Sequence, residues 1–348
     1  MSEQSVAQGI APGQSTQQPA ATTASRIHRV FGGSVGRNLG LVIAFIALCV
    51  VGLVTAGDRF ASVDNVMTIL RLAAVIGVLS VGMTFVITAG GIDLSIGAVV
   101  GLSSVWATTL ATQTMAQNTH WIVMVGVGVA VGTACGLVNG VLVAYGKVVA
   151  FIATLAMMAG ARGLAEMISN RQTQIVKVQG FLDFFRADLL GVPVLVWMFV
   201  VVAVAGWVLL NRTTFGRRTV AVGGNPEAAR LAGINVRRHV MYLYGLAGLT
   251  AGIGGVMMLA RTTAGTSTHG QLYELDAIAA VVVGGTLLIG GRGTIVGTVF
   301  GVLIFSTLTN VFTQNNLSTS AQAVAKGVII VAAVLLQQQI ASRSRSVT

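Results

Sequence analysis

From Leu39 onward the sequence is a series of long apolar runs, each separated from the next by a few polar residues. A hydrocarbon core about 30 Å thick is crossed by roughly 20 apolar residues in helix. In that medium only helices and closed barrels satisfy their own backbone. The runs lack the two-residue alternation of barrel strands and are too long for them, so helix remains. Of 348 residues, 54% are apolar and 9% are charged, against roughly 25% charged in soluble domains. An ordinary soluble enzyme is excluded, and so is a disordered chain, which needs low hydrophobicity and high charge. The 44 glycines follow no three-residue period, which excludes collagen.

The expected fold is an all-α polytopic membrane protein with about ten transmembrane helices, Gly-rich helix packing and both termini cytoplasmic. Spans are expected at 39–56, 66–89, 94–115, 121–145, 148–168, 193–210, 240–260, 275–290, 294–313 and 320–337. Residues 1–37 read as a disordered cytoplasmic tail rich in Ser, Gln, Ala and Thr. A transmembrane domain follows over 38–338, with a cytoplasmic loop at 211–238 and an external loop at 169–192, and 339–348 form a second cytoplasmic tail. The tail before the first run is too long, and the run itself too long, for a cleaved signal.

Net charge +11 fits this layout. Ten spans from a cytoplasmic N-terminus put thirteen basic residues inside, from Arg26 to Arg345, and seven outside: Arg59, Arg71, Arg162, Arg171, Lys177, Arg186 and Arg261. That bias obeys the positive-inside rule. Asp58, Asp64, Glu166, Asp183, Asp188, Glu274 and Asp276 fall on or near the external side. The basic residues are scattered over loop ends, so no nucleic-acid partner is expected; the lipid bilayer is. Trp121, Trp197 and Trp207 fall near span ends, as interfacial anchors do.

Small residues four apart let helices approach closely in lipid. Gly128, Gly132, Gly136 and Gly140 form one such stripe, Gly293, Gly297 and Gly301 a second, and Gly97 and Gly101 a third. The stripes serve either sliding or tight static packing. The spacing of Gly90-Gly91, Gly97 and Gly101 recurs at Gly290-Gly291, Gly297 and Gly301, a candidate internal repeat.

Two segments carry the strongest local signals. In the cytoplasmic loop, Asn225 suits an N-cap, Pro226 the first helical position, Glu227 the first turn and Gly233 the stop. With Ala228, Ala229, Arg230 and Leu231 between, they predict a two-turn helix roughly 10–12 Å long, either docking on a partner or lying at the membrane surface. At Gly90-Gly91-Ile92-Asp93-Leu94-Ser95, paired glycines interrupt an apolar run and Asp93 is placed to cap the next helix. That is either a gate on a solute path or a tight inter-helix turn.

Outside, 180–190 predict a short amphipathic helix lying on the membrane. Arg162 and Glu166 are spaced to pair on one helix. Lys326, inside the last run, either faces the bundle or snorkels outward. Cys49 and Cys135 read as small filler, and His28, His120, His239 and His269 are far apart in sequence. There is no P-loop, no metal-ligand spacing and no nucleophile–base pair, so neither a cofactor nor enzyme chemistry is expected.

The stretches Gly90-Gly91-Ile92-Asp93-Leu94-Ser95-Ile96-Gly97, Ala153-Thr154-Leu155-Ala156-Met157-Met158 with Arg162-Gly163, Thr214-Phe215-Gly216-Arg217, Gly224 to Ile234, Gly284-Gly285-Thr286, Gly290-Gly291-Arg292-Gly293-Thr294 and Lys326-Gly327 occur in order along the chain. In these the chain resembles the membrane-spanning permease of ribose-type ABC sugar importers. The resemblance implies a permease domain over 38–338 without ATPase activity of its own. It implies a multi-pass protein of the bacterial inner membrane, paired with a second permease subunit as homo- or heterodimer. A cytoplasmic ATP-binding subunit would engage Asn225 to Gly233. Gly90, Gly91, Asp93 and Ser95 stay the candidate gate or turn residues. An extracytoplasmic solute-binding protein delivering a small-molecule sugar would dock near Phe181, Asp183, Arg186, Asp188, Arg261 and Glu274. The rival readings are a related permease for a branched-chain amino acid or nucleoside, an ion-coupled transporter, which would need midplane acids, and a non-transporting scaffold.

Overall fold

The computed structural model describes residues 34–329, 331 and 335. The chain divides into two compact units, Met1–Gly40 and Leu41–Thr348. The tails expected at 1–37 and 339–348 therefore lie outside the described residues, apart from 34–37, which open the first helix.

Helix α1 spans Ser34–Ala56, α2 Asp58–Ala61, α3 Val63–Thr88, α4 Ile96–Ala107, α5 Leu110–Asn118, α6 Ile122–Ala144 and α7 Ala150–Ser169. Strand β1 (Gln174–Ile175), helix α8 (Gln179–Arg186) and strands β2 (Asp188–Leu189) and β3 (Val192–Pro193) follow. Then come α9 Val194–Arg212, α10 Thr214–Gly224, α11 Pro226–Leu231, α12 Val236–Thr262, β4 Ala264–Gly265, α13 Tyr273–Val283 and α14 Ile295–Gln314. Residues 319–329 are helical again. Side-chain caps set several starts. Ser62 Oγ accepts from the Asn65 amide at 3.2 Å, Asn235 Oδ1 from Arg238 at 3.0 Å and Thr294 Oγ1 from Gly297 at 3.1 Å.

Among the described residues, seven helices are long and apolar enough to cross a membrane: α1 from Leu39, α3, α6, α7, α9, α12 and α14. Their ends fall within a few residues of the expected ones. The run at 94–115 is instead two helices. Thr108 turns its hydroxyl onto the Ser104 carbonyl at 2.8 Å, and Thr109 takes an extended conformation and caps α5 through the Thr112 amide at 3.3 Å. The run at 275–290 is cut to the 11 residues of α13, because Gly285 takes φ +91° and the chain leaves the helix. The run at 320–337 is helical over 319–329, and most of its remainder lies outside the described residues.

The centre of the bundle is α3 and α12. The apolar window of α12 is 83% buried and that of α3 is 72%, against 17% for α1 and 22% for α7. Helix α12 packs on α6, α3 and α4, while α14 packs on α3 and α13. The α6–α12 contact is glycine on glycine. A Cβ at Gly132 would lie 2.5 Å from the Gly252 amide, and one at Gly248 would lie 2.7 Å from the Gly136 Cα. Gly140 faces the Met241 backbone and Gly128 the Val256 side chain. The second stripe seats α14 against α13 and α3: Gly297 faces Gly284, Gly301 faces the Ala280 carbonyl and Gly293 faces the Thr88 side chain.

Three local expectations change. Arg162 and Glu166 do not bond each other. Glu166 pairs with Arg171 at 2.9 Å, while Arg162 Nη1 donates to the carbonyls of Ser267 and, at 2.9 Å, His269. The segment 180–190 is helical only to Arg186, after which Asp188–Leu189 pair antiparallel with Val192–Pro193. Leu190 and Gly191 turn that hairpin with φ of 56° and 75°. Part of the apolar face of α8 packs on protein, while Phe184 stays half exposed. Phe181 and Phe185 are buried, and Phe184 stacks on Trp121 with centroids 4.8 Å apart. Asp93 does not cap α4: Ser95 holds the cap position without a side-chain bond to the helix amides, and Asp93 bonds Ser95 instead.

Candidate functional site

The connection between α9 and α12 carries the punctuated helix α11. Asn225 Oδ1 accepts from the amides of Glu227 and Ala228, both at 3.0 Å, and Pro226 follows at the first turn. At the other end Gly233 takes φ +84° while its amide donates to Arg230 and the amide of Ile234 to Ala229. Six residues give a length of roughly 9 Å. Only Ala229 is buried; Leu231 is 76% exposed. Glu227 and Arg230 bond each other at 2.5 Å on the open face. The guanidinium of Arg230 holds the Glu227 carboxyl below its usual range, through a hydrogen bond first and charge second. The result is a stiff, open knob with an apolar tip and a fixed charge pair.

Helix α10 connects this knob to the bundle. Thr219 Oγ1 lies 2.9 Å from His239 Nε2, and the His239 ring packs on Phe215 at 4.7 Å. At the end of α10, Gly223 meets two glycine turns. A Cβ on Gly223 would collide with the Thr88 carbonyl and lie 2.6 Å from the Gly291 amide. One on Gly290 would lie 2.8 Å from the Gly223 carbonyl and 2.9 Å from the Gly90 amide. Gly90, Gly290 and Gly291 have φ of +82°, +84° and +78°, which side chains rarely adopt. Thus the two turns of the candidate repeat touch each other, and the α10 terminus is wedged against both.

The Gly90–Ser95 turn is held from inside. Asp93, 2% exposed, accepts from the Ser95 amide at 2.9 Å and the Ser95 hydroxyl at 2.6 Å. Asn139 of α6 donates to Ser95 Oγ at 2.9 Å, and Tyr244 of α12 donates to the Ile92 carbonyl at 3.2 Å. A Cβ on Gly91 would lie 2.7 Å from the Tyr244 hydroxyl. Reading the sequence alone misses Asn139, Tyr244 and Gly223. The available signal was a buried-type amide and phenol inside otherwise apolar runs.

At the opposite end of α3 and α12, the loops 169–192 and 263–276 are tied by β1 and β4, which pair antiparallel through Gln174 with Gly265 and Ile175 with Ala264. Asp183, Arg186, Asp188 and Arg261 are exposed, whereas Glu274 is half-buried and Phe181 fully buried. His269 lies 3.0 Å from Ser104 Oγ and 3.3 Å from Thr262 Oγ1. Burial, then the charges of Arg162 and Arg261, lower its pKa from 6.5 to about 4.

Residues 65–334 match the family model described as branched-chain amino acid transport system / permease component. The chain is 42% identical over 323 residues to the ribose import permease protein RbsC of Bacillus subtilis, covering 91% of this chain and 97% of that protein. It is 39% identical to RbsC of Escherichia coli, covering 86% and 92%, and 36% identical to the L-arabinose ABC transporter permease protein AraH of Azospirillum brasilense, covering 96% and 97%. No solved structure matches. A match over most of the length, together with the apolar spans, means that the chain belongs to this family of membrane-spanning transport permeases.

Proposed function

We infer that this protein is the membrane-spanning permease subunit of an ABC importer for a monosaccharide or sugar-like polyol, a multi-pass protein of the bacterial inner membrane. The observation that carries the reading is identity of 35–42% over nearly the whole chain to permeases named for ribose and for L-arabinose. ATP hydrolysis belongs to a separate cytoplasmic subunit, and an extracytoplasmic binding protein delivers the sugar. Two permease subunits, identical or different, enclose the path. The arrangement is ten spans with both termini cytoplasmic, which puts α11 inside with the ATPase and α8 outside with the binding protein.

The geometry supplies a route for coupling. Closure of the ATPase pushes α11, which is stiff because both its ends are capped. Helix α10 passes the push to Gly223, whose backbone bears directly on Thr88 and Gly291. Thr88 precedes the turn whose Asp93–Ser95–Asn139 bonds hold the α3–α4 junction to α6. No soft side chain intervenes at the three-way glycine contact, so displacement of α10 reaches the turn with little loss. The exposed residues Asp183, Arg186, Asp188 and Arg261 form the outward docking face, with Phe181 and Glu274 supporting it from beneath.

The test is reconstitution with the ATPase and the binding protein in proteoliposomes. ATP-dependent uptake of radiolabelled ribose or arabinose is expected, with none of leucine. Leucine uptake in place of sugar would move the protein to the amino-acid branch of the family, and uptake without the ATPase would overturn the ABC reading.

A further inference from the structure

A cavity of about 150 Å³, largely apolar but with several polar groups in its wall, lies in the helix bundle away from α11 and from the Gly90–Ser95 turn. Its walls come from α3, the end of α12, α13, α14 and the helical segment 319–329. Lys326 Nζ sits 3.0 Å from both carboxylate oxygens of Asp276, and each side chain is less than one-fifth exposed. Arg261 and Tyr273 line the same space, with Ser306 and the ring of Phe305 on the α14 side.

An ion pair among membrane helices is expensive. As a mere fastener it has no advantage, because well-packed apolar residues of similar volume hold helices as well or better. A fastener would also be packed dry, whereas this pair borders open volume with further polar groups converging on it. The inventory suits one ligand class. A carboxylate accepts hydroxyl protons, an ammonium and a guanidinium donate to hydroxyl or ring oxygens, and Phe305 and Tyr273 add aromatic rings to the lining. The volume is about five times the ~30 Å³ share of one liquid water, room for a small polyhydroxylated ring but not for a peptide.

We propose that this cavity is a transient sugar subsite within the permease, in which Asp276 and Lys326 exchange their mutual bond for bonds to sugar hydroxyls. The proposal rests on the sugar-import reading. The self-paired resting state keeps binding weak, since sugar must displace an existing ion pair, and weak binding is what a site that releases its solute requires.

Two variants of the reconstituted complex test it. Asp276→Leu with Lys326→Met preserves packing and removes both charges. Uptake of ribose or arabinose should fall at least about tenfold, while binding-protein-stimulated ATP hydrolysis stays within about twofold. Wild-type uptake by the folded double variant would overturn the proposal. Should that variant fail to fold, Ser306→Cys decides, in a background with Cys49→Ala and Cys135→Ala. A charged methanethiosulfonate should react at position 306 and block uptake, and turnover with sugar should slow that reaction several-fold. Failure to react, transport after reaction or indifference to sugar would each overturn the subsite. Failure of the unmodified complex to take up any sugar would instead overturn the import reading.

Discussion

The amide of Gly291 donates to the carbonyl of Thr88 at 2.8 Å, and Gly223 lies against both. This bond joins the turns before α4 and α14 at the place where α10 ends. The neighbouring residues Gly223 and Gly224 separate packing from flexibility here, since a Cβ on Gly223 collides with Thr88 whereas one on Gly224 meets nothing within 4 Å. Gly223→Ala should therefore cut sugar uptake by about tenfold or more with ATP hydrolysis less affected, while Gly224→Ala stays near wild type. Parallel measurement of uptake and hydrolysis checks this. Equal behaviour of the two variants would show that the contact transmits nothing.

The charge pair on α11 provides a second test. Glu227 and Arg230 are 68% and 63% exposed at the side chain, so their mutual bond adds little to stability. Reversal by Glu227→Arg with Arg230→Glu keeps a pair at the same spacing but inverts the pattern shown to a partner. The thermal midpoint should hardly move, while co-purification of the ATPase subunit should drop sharply. Retained co-purification at wild-type stoichiometry would mean that the ATPase docks elsewhere. Asn225→Ala, by contrast, removes two cap bonds at 3.0 Å and should weaken docking through fraying, at a cost of roughly 1 kcal/mol to the helix.

Much of this architecture is legible in the sequence, because apolar length and cap chemistry are local properties. The start of α11 at Pro226, its stop at Gly233 and the ends of α3, α9 and α14 follow from residues within one turn of each boundary. What pairs across the bundle is not local. Arg162 is four residues from Glu166, yet it is satisfied by carbonyls more than a hundred residues away at Ser267 and His269. Lys326 finds Asp276 fifty residues back. The α6 glycine stripe announces a close contact, but only the fold reveals its counterpart, Gly248 and Gly252 on α12. Asp93 illustrates the limit within a single turn: its distance from the helix start made it a plausible cap, and a bond to the nearer Ser95 took precedence.

The α6–α12 contact should be among the most sensitive positions in the bundle. Gly132→Val would drive a side chain into the Gly252 backbone, whose amide lies 2.5 Å from the added Cβ. Backbone cannot yield as a side chain tip does, so the helices must part, and overpacking of this kind costs about 1–3 kcal/mol or more. Gly126→Ala on the same helix meets nothing within 4 Å and should be neutral or slightly stabilising. Thermal midpoints in detergent, read by loss of monodisperse protein, separate the two. Unchanged stability of Gly132→Val would mean that the close approach of α6 and α12 is wrong.

The loop 263–272 should be acid-sensitive through His269. Its pKa falls from 6.5 to about 4, chiefly by burial and further by the charges of Arg162 and Arg261. Below 6.5 an opened loop binds a proton that the closed loop refuses, so closure weakens as pH falls, and the loss continues down to about 4. The slope is on the order of 1.4 kcal/mol per pH unit inside that window. Protonation would also disturb the imidazole bonds to Ser104 and Thr262, while the bond from the Arg162 guanidinium to the His269 carbonyl survives until the loop moves. Amide exchange in 263–272, corrected for the intrinsic pH dependence of exchange, should lose protection on mild acidification. In His269→Gln, which has no proton to gain, protection should be flat across the same window. Parallel profiles for wild type and variant would assign the acid response to another group.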